Sequence, residues 1–419
     1  MTVVDRPARS APVGPTEIER WPAMGKPAPA PVRAAVARVL LRRTARRAGV
    51  RIELPGGEAF GPIDAPVMRI VRPDAFFARV GRYGKIGFGE AYMAGDWESP
   101  GDLARLLEPM ARNLRSLVPP RLQWIRRFYE PRPPAQEDND LTGSRRNIAA
   151  HYDLSNDLFA LFLDRSMTYS SALFDQLDES LERAQHRKID HLLDLARVGP
   201  GSRVLEIGTG WGELAIRAAR RGASVTTLTL SQEQADLARK RLAEQGLGEA
   251  VEVKIEDYRR SSGRYDAVVS VEMIEAVGEK WWPTYFRTLE ERLVPGGRIA
   301  LQSILMRHEG LTAARNSWTW IHKYVFPGGI IPSMEAIEQT LSDHTSLRAV
   351  ERLHFGASYA ETLRRWRLRF VERQSEVAEL GFGAVFRRMW EFYLAYSEAG
   401  FRSGYLDVAQ MVMINAGEL

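Results

Sequence analysis

An α/β fold built on one parallel sheet is predicted for the C-terminal two-thirds of this 419-residue chain, and two observations predict it. From His186 onward, strand-like and helix-like patterns alternate, as they do in a parallel sheet with helices on both faces. The first of these strands, Val204-Leu205-Glu206-Ile207, runs into Gly208-Thr209-Gly210-Trp211-Gly212 at the start of a helix. Glycines in such a turn let a ligand approach the backbone closely, and the arrangement is Rossmann-like.

Length and composition set the frame. A chain of 419 residues exceeds one ordinary core, so two domains are expected. Apolar content of 45% against 26% charged residues is the balance of a globular protein. The absence of cysteine excludes disulfides, zinc-thiolate sites, Fe–S clusters and a cysteine nucleophile, and no metal site is expected. No apolar run reaches about 18 residues, so no membrane-spanning helix is expected. The first residues lack an apolar signal core, which fits a cytoplasmic protein. A net charge of +5 suits nucleic acid, an anionic membrane or acidic substrates. Nucleic acid is not expected, because no zinc-finger, RNA-recognition or phosphate-loop signature is present.

The elements follow in order. Residues 1–30 are rich in Pro, Ala and Gly and read as an unstructured tail. Residues 31–130 read as a smaller α+β domain. It opens on PVRAAVARVLLRRTARRAGVR, with seven arginines, no acid, and Val32, Val36, Val39 and Leu40 at helical spacing. Such a helix suits either anionic lipid or a solvated arginine face. Short strands are expected in RIELPGGEAFGPI and VMRIVRP. DAFFARVGRYGKIGFGEAYMAG reads as a helix followed by a glycine-punctuated turn, and SPGDLARLLEPMARNL as a helix capped by Ser99 or Asp102. Residues 131–146, Pro-rich and then acidic, form the candidate linker, and 147–419 the main domain. There SRVLEIG, SVTTLTL, VEVKIED, YDAVVSV and GRIALQSI are the strands, with helices between them. After Met306 the pattern reads as mostly helical and aromatic.

Candidate site residues lie at the strand tips, which line one crevice in such sheets. Glu206 suits a ligand ammonium, a group that methionine-type ligands carry. Thr229 and Gln234 are the polar groups after the second strand. Glu256, Asp257 and Tyr258 follow the third, where a carboxylate accepts from an adenine amino group and an aromatic ring stacks on it. Glu272 and Glu275 follow the fourth, as candidate bases or anion-site organisers. Gln302 sits between Leu301 and Ser303 on the fifth, a largely apolar strand, and needs a partner. Aromatic residues cluster at Tyr152, Tyr169, Trp211, Trp281, Trp282, Trp318, Trp320, Tyr324, Phe326 and Tyr359. A π-face stabilises a sulfonium or a carbocation, although most of these rings must serve the core. WTWIHKYVFPGGIIP is a candidate cap over an apolar pocket.

HYDLSNDLF (151–159), MTYSSALF (167–174), VLEIGTGWGELA, SVEMIEAVG and HKYVFPGG together resemble the cyclopropane-fatty-acid synthases, which include enzymes that modify mycolic acids. The resemblance covers nearly everything after residue 66. It implies a class I S-adenosylmethionine-dependent methyltransferase sheet with a helical lipid-binding cap. It also implies a homodimer, peripheral on the inner face of the membrane. The implied substrate is a cis-olefin in an acyl chain of a membrane phospholipid. The alkene takes the sulfonium methyl, and a bicarbonate then removes a proton from the carbocation. By position, Tyr169, Ser170, Gly208, Gly210, Thr229, Gln234, Glu256, Asp257 and Tyr258 fall on cofactor-binding places, with Glu206 and Gly212 beside them in the glycine motif. Glu275 and Tyr359 fall on bicarbonate places, and Ile304 acts there through its backbone.

This chain departs from the family pattern where it usually has Cys (Ser171 and Ser397), His (Gln302), a His after the glutamate (Ala276) and a small residue (Glu272). The departures most resemble an actinobacterial branch on the path to 10-methyl-stearate. The expected product is therefore an exocyclic methylene, with a separate reductase needed for a saturated branch. The alternatives are a cyclopropane synthase, a small-molecule N- or C-methyltransferase, and a non-catalytic lipid-binding protein.

Overall fold

The computed structural model describes residues 14–113, 139–140, 143, 155–315 and 317–418. The chain divides into two compact units, Met1–Glu130 with Gln374–Ala399, and Pro131–Arg373 with Gly400–Leu419. The excursion of Gln374–Ala399 into the first unit departs from the single span 147–419 expected for the main domain. Its basis is visible in the packing. The Tyr92 hydroxyl donates to Glu391 Oε2 at 3.1 Å, and the Phe392 ring lies 5.4 Å from that of Tyr92. The expected linker lies almost wholly outside the described residues.

The first unit carries a small sheet of β1 (Arg51–Glu53), β2 (Ala59–Phe60), β3 (Val67–Ile70) and β4 (Trp97–Glu98), in the order β2-β1-β3-β4. The Leu103–Arg112 helix is capped by Asp102, whose side chain accepts from the Arg105 N–H at 3.0 Å. Two expectations are corrected here. Pro15–Arg20 and Pro22–Met24, assigned to the unstructured tail, are helical. The cause is Arg79, a buried guanidinium that needs acceptors. It pairs with Asp96 at 2.8 Å and donates to the Met24 carbonyl at 2.9 Å. The second correction concerns Pro73–Ala94. It is one helical run broken only at Gly84 (φ 54°, ψ −123°), not a helix and then a turn.

The second unit is the parallel sheet. Its strands are β5 (Arg203–Ile207), β6 (Ser224–Thr229), β7 (Val251–Ile255), β8 (Tyr265–Val271), β9 (Leu293–Met306), β10 (Leu347–His354) and β11 (Leu406–Asn415). They lie in the order β10-β11-β9-β8-β5-β6-β7. β5 pairs in parallel with both β6 and β8, so the strand order reverses beside it. That reversal opens a crevice at the carboxyl ends of the strands. β10 and β11 were not expected, because the chain after Met306 reads as helical; both pair antiparallel.

Alternation builds the two faces. Leu205, Ile207 and Val268 point into one core with Trp282, Tyr285 and Ile337. Val204, Ala267 and Val269 point into the other with Ile189, Leu193 and Leu214. These side chains are buried, and Leu205→Ala would cost roughly 2–5 kcal/mol. The strands are thereby fixed in register, and so are the side chains at their tips.

Candidate active site

The chain leaves β5 through Gly208 (φ 100°), Gly210 (φ 51°) and Gly212 (φ 89°), backbone conformations that side chains other than glycine rarely adopt. Nothing lies within 4 Å of a Cβ built on Gly210, so its backbone faces open space. The crevice there is lined by Tyr169, Ser170, Glu206, Gly208, Gly210, Thr229, Gln234, Glu256, Tyr258 and Glu272, ten of the residues singled out in the sequence. Two others are turned elsewhere. Gly212 packs against Ala238, which a Cβ would meet at 3.1 Å, and Asp257 is held by Arg259 at 2.7 Å.

Glu206 is buried, and its Oε2 has no hydrogen-bond partner. Burial pushes its carboxyl up to about 8, opposed by the Thr227 hydroxyl and the Lys188 ammonium. An orphaned buried carboxylate oxygen on the crevice wall fits a ligand ammonium. Thr229 Oγ1 donates to Gln234 Oε1 at 2.9 Å, which turns the Gln234 amide NH₂ away from Thr229. The Tyr258 ring lies beside Glu256, and its hydroxyl is pushed above its ordinary value by burial. These groups fit the ammonium, the ribose hydroxyls and the adenine of S-adenosylmethionine.

The residues named after β8 and β9 come together at the inner end of the crevice. Glu272 Oε1 accepts from the Ser171 N–H at 2.9 Å and from Gln302 Nε2 at 2.8 Å, and its Oε2 accepts from the Tyr359 hydroxyl at 2.7 Å. Glu272 itself sits at φ 51°, in the left-handed region that disfavours a glutamate. Glu275 Oε1 accepts from the Ser303 hydroxyl at 2.9 Å and from the Ile304 N–H, while its Oε2 is buried without a partner. Burial and then the charge of Glu272 push Glu275 up to about 8. Burial also raises Glu272, opposed by the Ser171 amide, the Tyr359 hydroxyl, Lys188 and Gln302. Burial raises both carboxyls, and each disfavours ionisation of the other, so they titrate as a coupled pair.

Aromatic rings pack behind the Tyr359 hydroxyl that meets Glu272. The Tyr359 ring lies 4.4 Å from Phe401 and 6.3 Å from Trp366, and Tyr169 lies 5.2 Å from Trp366. Trp282 serves packing, a core residue with its Nε1–H on the Ile274 carbonyl at 3.2 Å, whereas Trp211 lines the crevice and donates to Asn156 at 2.7 Å. Trp320 is buried against Tyr324 at 5.6 Å, and the candidate cap segment meets the site where the Ile330 N–H donates to the Glu275 carbonyl at 2.8 Å. Tyr152 lies outside the described residues.

Bicarbonate, which the family resemblance implies, does not fit these residues. Four donors around Glu272 and Glu275 are already spent. The single N–H of Ser171 and the single O–H of Tyr359 serve Glu272, as does one N–H of Gln302, and the N–H of Ile304 serves Glu275.

Two site residues carried no signal in the sequence. Lys188 is buried and donates to Ser170 Oγ at 2.6 Å; burial pulls it down to about 8, against the charges of Glu272, Asp164 and Glu206. Gln410, on the unexpected strand β11, donates to Gln302 Oε1 at 2.9 Å, and its own Oε1 lies 2.6 Å from His191 Nδ1. Lys188 lies in the run HRKID, where only its place on the inward side of a helix distinguishes it.

The fold, the glycine turn and the crevice define a class I S-adenosylmethionine-dependent methyltransferase. The family model described as mycolic acid cyclopropane synthetase matches residues 139–411, and the chain belongs to that family. It is 53% identical over 411 residues to tuberculostearic acid methyltransferase UfaA1 of Mycobacterium tuberculosis, covering 95% of this chain and 96% of the relative. It is 35% identical over 370 residues to the cyclopropane-fatty-acyl-phospholipid synthase of Escherichia coli, covering 87% and 90%. The crystal structure of mycolic acid cyclopropane synthase CmaA1 complexed with SAH and CTAB aligns with a TM-score of 0.60 at 29% identity, over 64% of this chain and 97% of that one.

Proposed function

We propose that this enzyme transfers a methyl group from S-adenosylmethionine to the cis double bond of an unsaturated acyl chain in a phospholipid, giving a methylene-branched product. The observation that carries this reading is the buried end of the crevice. Glu272 lines the crevice there with Tyr169 and accepts from the Tyr359 hydroxyl, the Tyr169 and Tyr359 rings both pack against Trp366, and aromatic surface beside a buried carboxylate suits a cationic intermediate held away from water. The similarity to a tuberculostearic acid methyltransferase over 95% of the chain supports the branched product.

S-adenosylmethionine supplies an electrophilic methyl group when bound. The chain's residues do the rest. Glu206 holds the ammonium end, and Glu256 and Tyr258 hold the adenine end. The glycine turn leaves room for the backbone to meet the cofactor. The rings bracket the alkene carbon that becomes positive. A cyclopropane product shares the same cation, and the 35% identity to a cyclopropane-forming relative supports that second reading.

The lipid must be met at a membrane. No helix among the described residues is long and apolar enough to cross one. The Pro31–Ala48 helix buries Ala37, Leu41, Ala45 and Ala48 and leaves Val32 77% and Val36 54% exposed, with Val39 and Leu40 beside them. Arg43, Arg46 and Arg47 continue the same exposed stripe. An apolar stripe ending in arginines suits the anionic surface of a bilayer, peripherally and without insertion of a span. The proposal also includes a homodimer, and a separate reductase for any saturated branch.

Release of S-adenosylhomocysteine with oleoyl-phospholipid vesicles, compared with small amines as acceptors, tests the substrate class. Turnover with vesicles alone is expected. Turnover with an amine alone would move the chain to small-molecule methylation.

A further inference from the structure

The structure assigns to Glu272 the role of the resident base that takes the proton from the alkylated chain, so that no free anion takes part. This deepens the proposed function and rests on it. Three features carry it. The Glu272 carboxylate is gripped by three donors from three separate elements: the Ser171 amide, the Gln302 side chain on β9 and the Tyr359 hydroxyl on the Gly356–Glu372 helix. Those donors are then exhausted, because Ser171 and Tyr359 offer one proton each and the remaining Gln302 proton points at the Ser171 carbonyl. A second anion beside Glu272 would find these three donors already taken and meet a resident carboxylate.

The second feature is backbone strain. Glu272 holds φ 51°, a conformation that a glutamate adopts only when its surroundings impose it. That conformation turns the side chain back toward the crevice, where it lines the wall with Met273 and Ser170.

The third feature is the lock behind Gln302. Gln410 stands opposite Gln302 in the β9–β11 pairing and donates to its Oε1 at 2.9 Å. The Gln302 oxygen therefore faces β11 and its NH₂ faces Glu272. Gln410 Oε1, 2.6 Å from His191 Nδ1, requires the proton on that nitrogen. The chain His191, Gln410, Gln302 thus presents a fixed donor to the Glu272 carboxylate.

The chemistry balances. The π pair of the alkene forms the bond to the sulfonium methyl carbon, and the C–S pair leaves with sulfur. A hydride then shifts from the methylated carbon to its neighbour, which places the positive charge on the methylated carbon. Glu272 removes a proton from the added methyl, and that C–H pair becomes the exocyclic double bond. Glu272 is left neutral and returns its proton to water before the next turnover.

The test uses the full-length protein in buffer freed of carbon dioxide, with S-adenosylmethionine and oleoyl-phospholipid vesicles. In parallel, binding of ¹³C-bicarbonate to the S-adenosylhomocysteine complex is followed by NMR. The wild type is expected to run at full rate and to bind no bicarbonate. Glu272→Gln keeps the hydrogen-bonding shape and is expected to lose roughly a hundredfold or more in turnover, with unchanged melting and S-adenosylhomocysteine affinity. Glu272→Gly opens the position, and added bicarbonate or formate is expected to bind and restore part of the rate. A wild type that binds bicarbonate and depends on it, or a Glu272→Gln enzyme at the wild-type rate, overturns the inference. A wild type that modifies no lipid sinks the proposed function instead; the binding arm then decides by itself, because bicarbonate bound to the wild type still overturns the assignment.

Discussion

Gln302 and Gln410 face each other across β9 and β11, and the 2.9 Å hydrogen bond between their side chains sets which end of Gln302 meets Glu272. Neither amide lines the crevice itself; Gln410 also donates to the Lys188 carbonyl at 2.9 Å and reaches the Glu272 carboxylate through Gln302. Gln410→Leu is expected to leave Gln302 free to flip. Of the three hydrogen bonds the variant loses, the one to Gln302 bears on Glu272, and its worth, about 1 kcal/mol, corresponds to a fall in kcat of about fivefold. KM for S-adenosylmethionine should not move. A merely structural role would instead lower thermal stability and leave kcat of the folded fraction intact. Steady-state kinetics beside a melting curve separates the two.

Glu206 gives a prediction about protons. Burial pushes its carboxyl up to about 8 in the ligand-free protein, so at pH 7 it is mostly protonated. A bound ammonium favours the ion and lowers that value. Binding of S-adenosylhomocysteine at pH 7 is therefore expected to release protons, fewer as pH rises through 8. The groups facing Glu206 are Thr227 and Lys188, and Lys188 titrates near the same pH, so the release belongs to the pair. Calorimetry in buffers of different ionisation enthalpy reads it. Glu206→Gln should abolish most of the release and weaken binding; an unchanged proton count in that variant would remove Glu206 from the cofactor site.

The same pushed-up carboxyls shape stability. Glu206 and Glu275 stand above the ordinary carboxylate value, near 8, so the folded protein holds more protons than the unfolded chain between about 4.5 and 8. Their contribution is fully present below 4.5 and is lost as pH rises through 8. Urea midpoints of the ligand-free protein should accordingly fall from pH 5.5 toward pH 8. Glu275→Gln should flatten that slope, and a midpoint that rises over this range in the wild type would contradict the burial argument.

The exposed stripe on the Pro31–Ala48 helix predicts salt-sensitive binding to anionic vesicles. Val36→Glu with Val39→Glu is expected to weaken vesicle binding by about tenfold or more, since each buried valine contributes about 1.5 kcal/mol. Turnover of micelle-dispersed substrate should stay unchanged. Sedimentation with vesicles at two salt concentrations checks it, and equal binding by the variant would place the membrane contact elsewhere.

The core of the sheet was legible in the sequence because β5, β8 and most of β9 are largely apolar runs ending at turns and β6 is rich in β-branched residues, and burial on both faces leaves them little alternative. β10 was not legible. LRAVERLH is mostly exposed, with charges on both sides, so it carries no alternation to read. β11 is an apolar run that a helix would also accommodate, and its strand identity comes only from pairing with β9. The site divided along the same line. Glu206, Glu272 and Glu275 sit at strand tips, where polarity after an apolar run is conspicuous. Lys188 sits on the inward side of a helix within HRKID, and Gln410 lies in the middle of the missed strand, so local composition marks neither. The arginine-rich helix was legible as a helix but not in its rotation. It lies close against Gly81, where a Cβ would meet the Arg33 backbone at 2.7 Å, and this approach buries the alanine face and turns the valines outward.

The central claim is methylene transfer to an acyl double bond, and the most direct measurement is mass spectrometry of fatty acids from an oleate-rich host that expresses the protein and is fed methyl-deuterated methionine. The predicted result is an acyl chain that gains one carbon carrying two deuteriums and is cleaved at that carbon by mild ozonolysis. A labelled chain that resists ozonolysis would be a cyclopropane and would contradict the branched product, and the absence of labelled lipid would contradict the substrate class.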